Sequence, residues 1–166
     1  MSKLGVIVEY AAVDWAEDTR AQYTVFDEAQ YGNDPYWGPI IERLKASNGL
    51  YVFYDSLARP LYVGIAPTQP IWDRANQSYN KYRDRQLKIP GVVHPVGRGR
   101  YDATKTRKIS RSGFSLADVA YYFSAYEVSK DLIGGLEAFA IRAFGGVLLN
   151  TKFEGNGKLS INMRDK

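Results

Sequence analysis

The chain has 166 residues, 45% of them hydrophobic, and carries 22 basic and 18 acidic side chains for a formal net charge of +4. Such a length and apolar fraction suit one packed domain rather than two. The absence of cysteine excludes disulfides, thiolate metal sites and cysteine nucleophiles, and a single histidine, His94, excludes any site built from two.

No run of 18 apolar residues occurs, so no membrane span is expected. The start, MSKLGVIVEY, lacks the long apolar core of a signal peptide, and a soluble, cytoplasmic protein is expected. Charge is unevenly spread. Residues 1–45 hold 4 basic and 8 acidic side chains, whereas residues 81–111 hold 10 basic ones against Asp84 and Asp102. One basic block in an otherwise neutral or acidic chain is the footprint of a polyanion partner, or else a solvated basic loop.

In chain order, residues 4–10 and 21–26 read as short strands. Asn33-Asp34-Pro35 makes a turn, and Trp37 to Ala46 reads as a helix with Ile40, Ile41 and Leu44 on one face. Leu50 to Tyr54 and Pro60 to Ile65 are β-rich runs separated by Asp55-Ser56-Leu57-Ala58-Arg59, which predicts a hairpin. The next helix opens at Ala66 to Pro70, with Thr68 as the expected cap and Pro70 in the first turn. Ile71, Ala75, Tyr79 and Tyr82 face the core on helical spacing, and Arg74 and Ser78 share a neighbouring strip. Residues 89–113, rich in Gly and Pro, read as one long loop. Asp118 to Val128 reads as a central strand. Asp131 is the expected cap of a helix from Leu132 to Phe144, ended by Gly145-Gly146. Val147-Leu148-Leu149 then leads to Asn150.

Glu137 carries the strongest single signal. Its neighbours one turn away are Ile133, Gly134, Ala140 and Ile141, and a carboxylate among them requires a cation or hydrogen-bond donors. It is either a metal ligand or a carboxylate paired with an arginine such as Arg74. Arg74 offers a planar fork of donors matched to phosphate oxygens, or is an ordinary solvated helix position. Tyr51 and Tyr62, taken singly, are equally at home as strand aromatics with hydroxyls at the sheet edge.

The ordered set decides more than its members. Gly49-Leu50-Tyr51, Tyr62-Val63-Gly64, Arg74, Glu137 and Asn150, with the intervening elements, closely resemble the GIY-YIG nuclease superfamily over about two-thirds of the chain. Two departures stand out: Ile65 occupies a position that is often lysine, and Ser78 and Tyr79 stand four and five residues after Arg74, where a tyrosine or histidine one turn on is common. The resemblance implies an α/β fold with a small, mainly antiparallel three-stranded sheet flanked by helices. Residues 1–45 then form an N-terminal elaboration, and residues 83–113 a basic insertion in a single domain.

The resemblance also implies a metal-dependent endonuclease acting on double-stranded DNA, restriction-like or associated with phage or defence. One site cuts one strand at a time, so a homodimer on DNA is expected, with the acidic N-terminal segment as a candidate interface or a cover for the basic block. Glu137 is implied to bind one Mg²⁺ or Mn²⁺, Arg74 to stabilise the phosphorane, Tyr51 to orient or deprotonate water, and Tyr62 to assist. Tyr79 or a basic loop residue is left to activate the base, and Asn150 closes the site. Arg98, Arg100, Lys105, Arg107 and Lys108 of the basic block are expected to hold nucleic acid. An RNase or nuclease toxin on the same fold, and a non-catalytic nucleic-acid-binding module, are the competing readings.

Overall fold

The computed structural model describes residues 4–14, 16–17, 22–81, 87–89, 107–109 and 115–144. The strands are β1 (Leu4–Ala12), β2 (Ala16–Glu17), β3 (Tyr23–Thr24), β4 (Gly49–Tyr54), β5 (Pro60–Ala66), β6 (Leu87–Ile89), β7 (Arg107–Ile109) and β8 (Tyr122–Val128). The helices are α1 (Glu28–Tyr31), α2 (Trp37–Ala46), α3 (Ile71–Asn80) and α4 (Lys130–Ala143). Among the described residues, no helix is long and apolar enough to cross a membrane.

The central sheet is antiparallel and has four strands rather than the expected three, in the order β1-β8-β4-β5. The extra strand is β1, from the segment expected to be an elaboration. It pairs along the outer side of β8 and buries Ile7, Val8 and Ala11, which covers an edge that would otherwise expose a row of backbone donors and acceptors. Its register against β8 shifts on both sides of Val8, and Tyr10 sits in the left-handed region at φ 49°. The Tyr10 backbone N–H donates to Ser124 Oγ at 2.9 Å, which anchors the bulge.

Alternation along β4 and β5 sends side chains to two faces. Tyr51, Phe53, Tyr62 and Ala66 pack with Ile71, Ala75 and Tyr79 of α3, with Ile41 and Leu44 of α2, and with Phe26 and Phe123. Leu50, Val52 and Val63 point the other way, onto Ile133 and Ala140 of α4. The hairpin forms at the expected place. Its turn is held by Asp55, whose Oδ1 accepts from the backbone N–H groups of Leu57 and Arg59 at 2.8 and 2.9 Å.

Several local expectations change. Pro70 is the N-cap of α3, and no side chain caps it, so Thr68 does not serve. Instead the Ile71 N–H donates to the Ser47 carbonyl at 2.9 Å, so a neighbouring chain segment satisfies the first turn. Ser129 rather than Asp131 precedes α4, and Asp131 lies in the first turn, where its charge favours the helix dipole. The expected strand from Asp118 starts only at Tyr122. Before it, Leu116–Asp118 form a single 3₁₀ turn with a reciprocal capping box between Ser115 and Asp118. At the start of the expected loop at 89–113 and inside it, β6 and β7 pair as an antiparallel ribbon that aligns Lys88 with Lys108 and Ile89 with Arg107. Among the described residues of the strand expected at 21–26, Tyr23–Thr24 pairs with β2, while Val25 and Phe26 turn into the core.

Candidate active site

Strand register explains why the two tripeptides come as a set. Tyr51 lies directly opposite Gly64, and Phe53 opposite Tyr62. The Tyr51 ring lies so close over Gly64 that a Cβ there would overlap its Cζ, Oη and Cε2 atoms. Glycine is therefore required by the tyrosine across the ladder. Gly49 has a comparable constraint, because a Cβ would run into the Tyr126 carbonyl of β8.

Tyr51 is fully buried. Its Oη is 2.6 Å from Ser78 Oγ and 3.3 Å from the Arg74 carbonyl, both on α3. A phenol has a single proton to donate, so only one of these can accept it. Arg74 and Ser78 stand one helical turn apart, and α3 turns both towards Tyr62, whose ring centroid is 6.3 Å from that of Tyr51. Tyr62, Arg74 and Ser78 line a hollow of about 480 Å³, together with Gln22, Gln77, Asn80 and Lys81.

The rim is braced from α3. Asn80 accepts from the Tyr23 N–H at 2.9 Å and donates to the Tyr23 carbonyl at 2.7 Å, while Asn76 Oδ1 accepts from the Val25 N–H at 2.9 Å. These bonds fasten residues 23–25 to the helix and bring Gln22 to the edge. The described lining has two cations, hydroxyls and carboxamides, and no carboxylate. That chemistry suits an anion. A second hollow of about 330 Å³, lined by Ile65, Pro67, Thr68, Gln69 and Arg74, lies beside the first. Ile65 belongs to the α4 side of the sheet and β5 is an edge strand, so Arg74 stands at the margin between the two faces.

Glu137 is buried, at 3% exposed, on the strip of α4 that carries Ile133 and Ala140. It thus faces the opposite side of the hairpin from Tyr51 and lines neither hollow. Tyr79 lies outside the hollow too. Its ring stacks on Phe53 with centroids 5.5 Å apart and planes 7° apart. Burial, reinforced by Asp14, Asp118 and Tyr23, pushes its phenol far above the ordinary tyrosine range, the reverse of what an activating base needs. Asn150, Arg98, Arg100 and Lys105 lie outside the described residues, and Arg107 and Lys108 are placed by backbone alone, in β7.

The structure therefore brings together Tyr51, Tyr62 and Arg74 and adds Ser78, Lys81, Gln77 and Gln22. Only Ser78 left a trace in the sequence, through its four-residue spacing from Arg74. Lys81 reads there as one more charge of the basic block, and the glutamines carry no pattern at all. Comparison of the chain with family models, curated proteins and solved structures finds no match.

Proposed function

We propose that the protein is a GIY-YIG-type phosphodiester hydrolase, an endonuclease that cuts duplex DNA with the help of a divalent metal ion. The observation that carries this reading is the hollow in which Tyr62, Arg74, Ser78 and Lys81 meet at the open edge of β5. Arginine and lysine beside hydroxyl donors fit the non-bridging oxygens of a phosphodiester. Lys81, the first charge of the basic block, lines that hollow, where it would meet a phosphate of a bound backbone.

Glu137 is the one buried carboxylate among the described residues, and such a group is stable only against a cation or donors. Among the described residues no cluster of three or more candidate ligands surrounds it, so the choice of magnesium or manganese, hard cations that take few protein oxygens and keep water, rests on the resemblance. By the resemblance Glu137 would hold the ion; since it lines neither hollow, the substrate would have to pass Arg74 at the β5 edge to the α4 side for the ion to supply charge stabilisation at the leaving oxygen. Arg74 neutralises charge that builds on the phosphoryl oxygens. Tyr62, on the wall of the hollow, orients the attacking water. Tyr51 acts from behind, holding Ser78 and the α3 backbone in place, and so positions the wall rather than touching substrate.

Incubation with supercoiled plasmid and Mg²⁺, with and without chelator, tests the reading. Nicked and linear products that need metal are expected from the wild type, and none from Glu137→Gln, whose circular dichroism should match the wild type. A panel of duplex DNA, single-stranded DNA and RNA decides between a DNase and an RNase. A folded wild type that cleaves none of them with any divalent metal, or a Glu137→Gln variant that cuts at the wild-type rate, overturns it.

A further inference from the structure

Helix α4 buries one strip, Ile133, Glu137 and Ala140, against β4 and β5. Its outer strip is also apolar. Leu132 (37% exposed), Gly135, Phe139 (69% exposed) and Ala143 recur three or four residues apart, all open to solvent. A surface helix of a monomer normally turns polar side chains outward, and a contiguous exposed apolar strip marks a contact surface. The strip also has relief. Nothing lies within 4 Å of where a Gly135 Cβ would be, and Phe139 projects one turn further on. Exposed Asp131 and Arg142 flank the same side of the strip, one near each end.

We propose that α4 packs against α4 of a second copy of this chain, antiparallel, about a two-fold axis near position 137. The occupant is identified by self-complementarity. Gly135 and Phe139, Asp131 and Arg142, and Leu132 and Ala143 each lie symmetrically about the same point. Their midpoints coincide within one residue, about 1.5 Å along a helix. Under that axis Phe139 enters the notch over Gly135 of the other copy, and the reverse occurs at the same time. A two-fold axis normal to the plane of two antiparallel helices keeps each flank on its own side. Asp131 therefore meets Arg142 of the other copy at both ends, whereas a parallel pairing would carry the two Asp131 side chains to opposite flanks and leave neither facing Arg142.

One helix pair is a small interface, below the ~1,000 Å² of strong complexes, so association is micromolar. The pairing does not depend on the nuclease reading, because the strip faces away from the sheet and from Glu137. It would also place two copies of the site in one particle, as cutting both strands of a duplex requires.

Sedimentation velocity of the full chain from about 1 to 200 μM, a range bracketing micromolar association, is the test. The wild type should pass from monomer to dimer. Phe139→Ser and Gly135→Leu should each raise the dissociation constant about thirtyfold or more, as loss of an interface anchor does. Gly135→Leu also favours the helix, so weaker association there cannot come from unfolding. Asp131→Arg and Arg142→Asp should each weaken the dimer, and the two together should restore it. Circular dichroism and melting of each variant confirm the fold. A monomer at every concentration overturns the proposal. So does a folded Phe139→Ser variant that dimerises like the wild type, or a double charge swap that restores nothing.

Discussion

Replacing Gly64 with alanine tests the physical link between the two tripeptides. The added Cβ would overlap Cζ, Oη and Cε2 of Tyr51, a ring with no room to retreat because it is fully buried between Phe53, Phe123 and Tyr62. Forcing a methyl into a close-packed site costs about 1–3 kcal/mol. Moving the phenol away from Ser78 breaks a buried hydrogen bond of 2.6 Å and adds about 1–2 kcal/mol. Gly64→Ala should therefore lose about 2–5 kcal/mol of stability, measured by urea unfolding followed by circular dichroism. Tyr51→Phe removes only the hydrogen bond and should lose about 1–1.5 kcal/mol. Tyr51→Ala makes room for the methyl, so the double variant should cost less than the sum of the singles by about 1–3 kcal/mol. Gly134→Ala is the control: its Cβ meets nothing within 4 Å, and stability should rise by about 0.5–1 kcal/mol. A Gly64→Ala variant within about 0.5 kcal/mol of the wild type, or strictly additive effects in the cycle, would refute the reasoning.

The remaining predictions concern the site, the core and the basic block. Tyr62→Phe should lower plasmid cleavage by about 10²–10⁴-fold with little change in DNA affinity, whereas Tyr51→Phe should show more in unfolding than in turnover; single-turnover kinetics with the reverse ranking would exchange their roles. Tyr79 has a folded pKa above its unfolded value, so its contribution is fully present below about pH 10 and is lost as pH rises further. Tyr79→Phe should accordingly flatten the alkaline fall in urea-midpoint stability; an unchanged fall would assign it to other groups. If about half of the block's charges reach phosphates, log K against log salt should slope at roughly −4 to −5 on duplex DNA. Alanine at Arg98, Arg100, Lys105, Arg107 and Lys108 should flatten that slope in fluorescence anisotropy, and an unchanged slope would show the block to be solvated.

Much of the fold was legible because its signals are local. The β4–β5 hairpin, α2, α3 and α4 fall where alternation or helical spacing places them, since each is closed by hydrogen bonds among neighbours in sequence. What escaped were pairings between distant segments. Leu4–Ala12 reads as a strand, but nothing within it says that it will pair with Tyr122–Val128 and widen the sheet to four strands. Leu87–Ile89 and Arg107–Ile109 pair across a Gly- and Pro-rich stretch that reads as loop, because three-residue strands leave no period to detect. The start of α3 differs for a similar reason: Ser47, brought in from before the hairpin, does what Thr68 was expected to do.

The same division runs through the site. The sequence by itself determined which groups are available: two phenols on paired strands, an arginine one turn before a serine, and one carboxylate on an apolar helix. It also determined that Tyr51 and Gly64 share a face, since alternation and hairpin register are both local properties. Only the tertiary structure decided what each group meets. Whether a strand tyrosine is sealed or lines a hollow depends on the helix laid over it, and α3 covers Tyr51 while leaving Tyr62 on the wall. Whether a helix face looks at the hairpin from above or below depends on how the chain crosses the sheet, and that crossing set Glu137 on the face opposite Tyr51. Residue type and spacing carry the chemistry, but exposure and side belong to the packing of segments far apart in the chain.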